Sequence, residues 1–368
     1  MTIVIFILIL SILVFVHEFG HFMVARRAGV RVEEFGFGFP PRLFGRRHGD
    51  TIYSINLIPF GGFVRLQGEQ DDPHHRPDSF LSASFKNKFA IIAAGVIMNY
   101  LLAWLLLSAA YSLGVTVDGQ QPPTDRLARV SDRRIESLVG AGSAAERAGL
   151  NNGDYIIDVN GQVFSTTEQL INYVKSGAYP VLTVRARRAK ANNISTAIIT
   201  PDKYGDQNPH YGFGLQSLAT VQYPWGVSGW PGLKITGQIT GQAVVGFGRV
   251  ISNIVMTGRV GEDVAGPVGI AVLTGQVRQL GIVPVLQFMA VLSISLAVIN
   301  FLPIPALDGG RAMFIVIEKI RGRPVNRKTE GYIHALGFYL LIILIILISI
   351  RDFRRFGVWQ NVLNLFQS

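Results

Sequence analysis

The chain contains no cysteine. A disulfide framework and a thiolate metal site are therefore excluded, and any bound metal must be held by His, Asp or Glu. Charge is scarce as well: Asp, Glu, Lys and Arg make up 16% of the 368 residues, against about 25% in an ordinary soluble domain. Acid is scarcer than base, 24 Asp and Glu against 34 Lys and Arg, for a net charge of +10. In a chain so poor in charge this excess belongs to loops facing anionic lipid, and no nucleic-acid partner is expected. Internal repeats and long low-complexity tracts are absent too.

What the chain does have is clustered apolar sequence. Residues 1–16 (MTIVIFILILSILVFV) carry no charge, 89–117 none after Lys88, 282–307 none, and 331–350 end in YLLIILIILISI. A membrane helix needs about 20 apolar residues to cross roughly 30 Å of hydrocarbon. All four runs meet this, the first by continuing through a polar motif to Ala25. The predicted class is a polytopic α-helical membrane protein with about four transmembrane helices. The first run does not read as a secretory leader, because no basic residues precede it and no small-residue cleavage site follows. Arg26, Arg27 and Arg31 come after it instead, and a second basic group holds Lys319, Arg321, Arg323, Arg327 and Lys328. Both mark cytoplasmic loops, which puts the stretch from 118 to about 280 outside. The tail residues Arg351, Arg354 and Arg355 then fall outside against the rule, because four crossings force it.

Between the first two runs, FGFGFPPRLFGRR and TIYSINLIPFGGFVRLQ alternate apolar with small or polar residues. They predict hairpins near the membrane surface, broken at Pro40–Pro41, His48–Asp50 and Pro59–Gly62. The stretch 69–79 (EQDDPHHRPDS) is polar and reads as mobile. From 119 to 216 the composition is that of a soluble domain. AGSAAERAGLNNGDYIIDVNGQVFSTTEQLINYVKS reads as turn, short helix, turn, strand, turn, strand and helix. Gly149 is its helix stop, and Asn152–Gly153 and Asn160–Gly161 are its hairpin-type turns. VLTVRARR and NNISTAIIT supply further strands, and Tyr223 to Leu280, rich in glycine, reads as surface helices returning to the membrane.

The first run ends in His17-Glu18-Phe19-Gly20-His21, an H-E-x-x-H pattern. On a helix, residues four apart share a face, so both imidazoles reach one metal while Glu18 stands beside it to move a proton. Ionisable groups inside a hydrophobic segment cost about 2.5–3.5 kcal/mol each, so three in five positions call for a compensating cation. A zinc site needs a third protein ligand and an open position. Asp308, in Asn300-Phe-Leu-Pro-Ile-Pro-Ala-Leu-Asp308-Gly-Gly310, is the best candidate. Pro303 and Pro305 prevent a regular helix there, and non-helical backbone at membrane depth is tolerated only where it is buried in protein or lines a wet cavity. His48, His74, His75, His210 and His334 lack ligand spacing and read as surface residues.

HEFGH in the first run, NFLPIPALDGG in the third and the domain inserted between them together resemble the site-two protease family of intramembrane zinc metalloproteases. The likeness covers nearly the whole chain, and is strongest to bacterial members that cleave anti-sigma factors. It implies Zn2+ held by His17, His21 and Asp308, Glu18 as catalytic acid/base, and Asn300 as a contact to the substrate backbone. Ser295 stands where some relatives carry another asparagine. INLIPFGGFVRLQGE resembles the family's membrane-associated β-loop, with Phe60, Gly61, Gly62 and Phe63 as candidates for an edge that pairs with an unwound substrate. Region 119–216 resembles a single PDZ domain, which would bind a peptide C-terminus or filter substrates by size.

The expected organisation follows. Residues 1–118 hold two transmembrane helices and the β-loop, 119–216 the PDZ-like α+β domain, 217–281 an amphipathic linker, and 282–368 the last two transmembrane helices and tail. The resemblance implies cleavage of single-pass membrane proteins, such as anti-sigma factors or signal-peptide remnants, in regulated intramembrane proteolysis. It places the chain in a bacterial inner membrane, with its active site towards the cytoplasm and the PDZ-like domain outside. Two other readings, a metal-stabilised scaffold and an ion transporter, would require a fourth protein ligand or metal-dependent flux without peptide cleavage.

Overall fold

A computed structural model of the chain describes residues 1–69, 76–123, 125–176, 179–188, 193–202, 211–258 and 264–357, without the side chains of Ile254 and Val255. In chain order the elements are α1 (Thr2–Arg27), β1 (Val32–His48), β2 (Thr51–Leu66), α2 (Phe85–Leu113), β3 (Val115–Asp118), β4 (Arg129–Val139), α3 (Ala144–Arg147), β5 (Tyr155–Val159) and α4 (Thr167–Ser176). They continue with β6 (Leu182–Arg187), β7 (Ile194–Ile199), β8 (Phe213–Gln222), α5 (Gly229–Thr257), α6 (Pro267–Gln279), α7 (Ile282–Phe301), α8 (Asp308–Arg321) and α9 (Arg327–Arg355). Two compact units result, one of Met1–Ala110 with Gly229–Ser368 and one of Tyr111–Ser228.

Among the described residues, four helices of the chain, α1, α2, α7 and α9, are long and apolar enough to cross a membrane. The third ends at Phe301, six residues before the apolar run does, because Pro303 and Pro305 cannot continue it. Lipid tails are as apolar as leucine, so helices in a bilayer associate by close packing of small residues. The first unit follows that rule. Ala103 of α2 and Ala290 and Ala297 of α7 are fully buried, and Ile9 and Leu13 of α1 meet Met289 of α7. Ile235, Ile239, Ala243 and Phe247 of α5, one stripe at four-residue spacing, pack on a cluster of Ala103, Leu107, Ala290, Ile294 and Val298. Over these residues the segment expected to be a surface linker is a layer of the bundle. Its intervening Gly, Thr and Gln residues disguise the stripe in the sequence.

Strands β1 and β2 are long and bent, and each pairs twice. Residues 34–37 lie between 52–55 on one side and 62–65 on the other, while 42–48 pair with 51–56. The chain thus runs through Pro40–Pro41 and Pro59 without ending a strand. Proline is tolerated where the pairing shifts register, and the ladder does shift between Phe37 and Arg42. Buried Glu34 takes hydrogen bonds from Ser54 (2.7 Å) and Arg42 (2.6 Å) and holds the bend. Phe39, Leu43, Phe44, Leu57 and Phe60 around it are exposed.

The second unit is a six-stranded antiparallel sheet in the order β3-β8-β4-β5-β6-β7, closed over a core that includes Leu150, Val159, Leu170, Leu182, Val184 and Ile199. Its bounds are wider than the change in composition suggests. Val115–Asp118 pairs with Leu218–Val221, and β3 overlaps the end of an apolar run that reads as membrane span. Ser143 caps α3 by accepting from Glu146 N, and Asn160 and Gly161 both have positive φ (51° and 78°), as a two-residue hairpin turn requires. Past that turn, among the described residues, the bridge Val159–Gln162 stands where a further strand is expected, and α4 follows.

Helix α6 of the first unit has glycine, Gly266, at its N-cap and so no side-chain cap of its own. Fully buried Asp352, near the end of α9, supplies one: its Oδ2 accepts from Gly266 N and Gly269 N, both at 2.8 Å. A Cβ at either glycine would lie 2.8–3.0 Å from that oxygen. Asp352→Ala removes two charge-assisted bonds at a helix N-terminus and is expected to cost about 1–3 kcal/mol. A lowered thermal unfolding midpoint in detergent would register it; an unchanged midpoint would show that the cap is not stabilising.

Candidate metal centre

Helix α1 carries the H-E-x-x-H residues against α2, and two glycines bring the helix backbones together. A Cβ on Gly20 would stand 2.5 Å from Ala94 O, and one on Gly95 would overlap the imidazole nitrogen of His21 and lie 2.6 Å from His17 Cε1. The third run contributes from the other side. After α7, residues 302–307 form an irregular loop, and Asp308 opens α8, where a carboxylate suits the positive end of the helix dipole. Gly309 and Gly310 let that first turn lie against the backbone carbonyls of Leu302 and Ile304. Ala306 sits at φ 79°, a left-handed conformation that is strained for alanine. His334 of α9 accepts a hydrogen bond from Ala306 N (2.9 Å) and packs on Phe314, and Gly337 one turn later leaves room for Pro305. His334, read as a surface residue, is therefore a prop for the loop. His48 is exposed, and His74, His75 and His210, like most of the polar stretch 69–79, lie outside the described residues.

These elements bring His17, His21 and Asp308 together. His17 Nε2 is 2.9 Å from Asp308 Oδ2, His21 Nε2 is 3.3 Å from the same oxygen, and the two imidazole nitrogens are 3.2 Å apart. Both histidines are buried, and the three can hold one metal ion. Tetrahedral zinc with N and O donors at about 2.0–2.2 Å sets its ligand atoms about 3.3–3.6 Å apart, and the observed separations lie at or just below that. The donor chemistry fits as well. His21 Nδ1 is 2.7 Å from the Ile91 carbonyl, which can only accept, so Nδ1 carries the proton and Nε2 presents its lone pair.

Glu18 lies beside this cluster, its Oε2 accepting from Val64 N at 3.1 Å. Asn300 Nδ2 is 3.5 Å from His17 Nε2. A cavity of about 290 Å³ is lined by Glu18, His21 and Asp308 together with Gly62, Phe63 and Val64 of β2. Of the four β-loop residues singled out in the sequence, Gly62 and Phe63 reach this cavity. Gly61 instead packs on Val14 of α1, and Phe60 is exposed. Glu69 and Arg311, ion-paired with each other, stand in the wall shared with a larger cavity of about 550 Å³.

The profile of Peptidase family M50 matches residues 5–344. The chain belongs to this family. The zinc metalloprotease RasP of Geobacillus kaustophilus is 28% identical, over 96% of this chain and 98% of its own length. The regulator of sigma-W protease RasP of Bacillus subtilis is 30% identical over 96% and 98%, and the protease RseP of Yersinia pestis 29% over 95% and 98%. This M50 peptidase is thus a metalloprotease of the site-2 type, a bacterial membrane protein whose metal is zinc.

Sequence reading missed Ile91, Gly95, Asn99 and Val64. The first three recur every four residues and so form one face of α2. Asn99 did leave a signal, as an amide in the middle of an otherwise apolar span. Gly95 and Val64 left none, since only the crossing of α1 with α2 and the bend of β2 give them a role. A methyl group at Gly95 would push both imidazoles out of place. Gly95→Ala is expected to weaken zinc binding by about tenfold or more, on the scale of altered ligand orientation. Titration against a chelating dye measures this, and wild-type affinity would show that the helices separate without cost.

Proposed function

We propose that this peptidase hydrolyses peptide bonds within the transmembrane segments of single-pass membrane proteins, such as anti-sigma factors or signal-peptide remnants, as a step of regulated intramembrane proteolysis. The observation that carries this reading is the cavity in which Glu18, the candidate zinc ligands His21 and Asp308 and the outer edge of β2 converge, with His17 in contact with both ligands. His17, His21 and Asp308 hold the zinc, which when bound supplies Lewis acidity to the scissile carbonyl and the attacking water. Glu18 takes the proton of that water on its carboxylate and returns it to the leaving nitrogen.

A substrate helix hides its amides in its own hydrogen bonds and must unwind before attack. The outer edge at Gly62–Leu66 suits an unwound strand, because Val64 N–H points away from β1 towards the cavity. A docked strand's carbonyl takes that N–H, which releases the Glu18 carboxylate for catalysis. Gly62 and Phe63 border the docked strand, Phe60 and Gly61 anchor the edge in lipid and on α1, and Asn300 donates to the substrate backbone. The exposed Phe39, Leu43, Phe44 and Leu57 make the β-loop membrane-associated. The six-stranded unit acts as a PDZ-like domain that binds a peptide C-terminus or filters substrates by size. It stands outside the inner membrane, and the active site lies towards the cytoplasm, where the basic loops belong.

Purified protein incubated in detergent with a single-span substrate tests this. Glu18→Gln is expected to lower cleavage about 10²–10⁴-fold while zinc content is unchanged. Equal cleavage by both proteins would overturn the role given to Glu18. No cleavage by zinc-loaded wild type across several helix-breaking substrates would overturn the intramembrane assignment.

A further inference from the structure

Helix α2 touches both candidate ligand histidines, but it serves them differently. His21 has a backbone acceptor, the Ile91 carbonyl. Two turns further along the same face, the side-chain Nδ2 of Asn99 stands 3.3 Å from His17 Nδ1. Asn99 is fully buried, in the middle of a membrane span, where a polar side chain without a task is costly. Its backbone is pinned to α7 by the Ser293 hydroxyl, which donates to Asn99 O at 2.8 Å. The amide oxygen Oδ1 has no hydrogen-bond partner among the described residues, so the contact of Nδ2 to His17 is the one the side chain makes.

We infer that Asn99 is a positioning residue that accepts the His17 Nδ1–H through its amide oxygen and so aims His17 Nε2 at the metal point. The inference rests on His17 being a zinc ligand. A histidine that ligates through Nε2 carries its proton on Nδ1, and that proton needs an acceptor. Nδ2 facing that N–H would set two donors together, and a half-turn of the amide about its Cβ–Cγ bond puts the partnerless Oδ1 in its place. Each histidine then has its own acceptor on one face of α2, a carbonyl for His21 and an amide for His17, with Gly95 between them admitting both rings. The two acceptors differ in kind. The carbonyl of Ile91 belongs to the helix backbone and survives substitution, whereas the amide of Asn99 is open to mutation.

The test compares wild type, Asn99→Leu, Asn99→Asp and His17→Ala by zinc affinity against a chelating dye and by thermal unfolding in the metal-free state. Asn99→Leu keeps the volume and removes the acceptor, and is expected to weaken zinc binding about 10–100-fold. Asn99→Asp restores an acceptor and is expected to return affinity towards wild type. In the zinc-loaded, histidine-labelled protein, the His17 Nδ1–H resonance is expected downfield and slow to exchange in wild type and Asn99→Asp. That readout does not depend on Asn99→Leu remaining folded. Wild-type affinity in Asn99→Leu, or a rapidly exchanging His17 Nδ1–H in wild type, would overturn the inference while leaving the ligand set intact. Undiminished zinc binding by His17→Ala would instead overturn the ligand assignment beneath it.

Discussion

Two histidines inside an apolar helix call for a partner at each ring, and the close contact between α1 and α2 brings one to each Nδ1. The contact depends on two glycines at the crossing, Gly20 against Ala94 O and Gly95 against both imidazoles. Small residues let helix backbones approach where lipid offers no hydrophobic drive for association. With the helices this close, the Ile91 carbonyl reaches His21 Nδ1 and the Asn99 amide reaches His17 Nδ1. A larger residue at either glycine would separate the rings from the groups that orient them.

The second half of the centre comes from a segment that is not a helix where it matters. Pro303 and Pro305 end α7 and free backbone groups at membrane depth, in a loop that is half-buried apart from exposed Pro303 and whose Ala306 lines both cavities. Gly309 and Gly310 then let α8 begin directly against the loop, and His334 and Gly337 of α9 brace it from behind. Asp308 thus comes from a rigid turn. Its carboxylate meets His17 and His21 at 2.9 and 3.3 Å.

The β-loop shows how one observation serves two purposes. Its bent strands leave Gly62–Leu66 as an outer edge, and the Val64 amide of that edge is held by Glu18. Edge amides are ready templates for an incoming strand. The same hydrogen bond therefore ties the position of the proposed base to the occupancy of the proposed substrate edge. The geometry at Val64 comes from the double pairing of β1 and β2, which brings residues nearly fifty apart along the chain into contact.

Local chemistry made part of this legible in the sequence. Four apolar runs long enough to span a bilayer, H-E-x-x-H at a helical spacing and a Pro-Gly loop around Asp308 can each be read in place, because they depend on short-range periodicity and on the cost of burying charge. Asn160–Gly161 was legible for the same reason, since its turn needs positive φ from those two residues. The pairing of Val115–Asp118 with β8, the stripe of α5 on α2 and α7, the Asp352 cap on α6 and the roles of Gly95, Val64 and His334 were not. Each joins residues far apart in the chain, and nothing in a local window shows which distant backbone group will lie opposite. The sequence by itself determined which side chains could do chemistry in a membrane. Tertiary packing decided which of them share one cavity, because distances of 2.9–3.3 Å between α1 and the start of α8 exist only once the helices and their glycines have met.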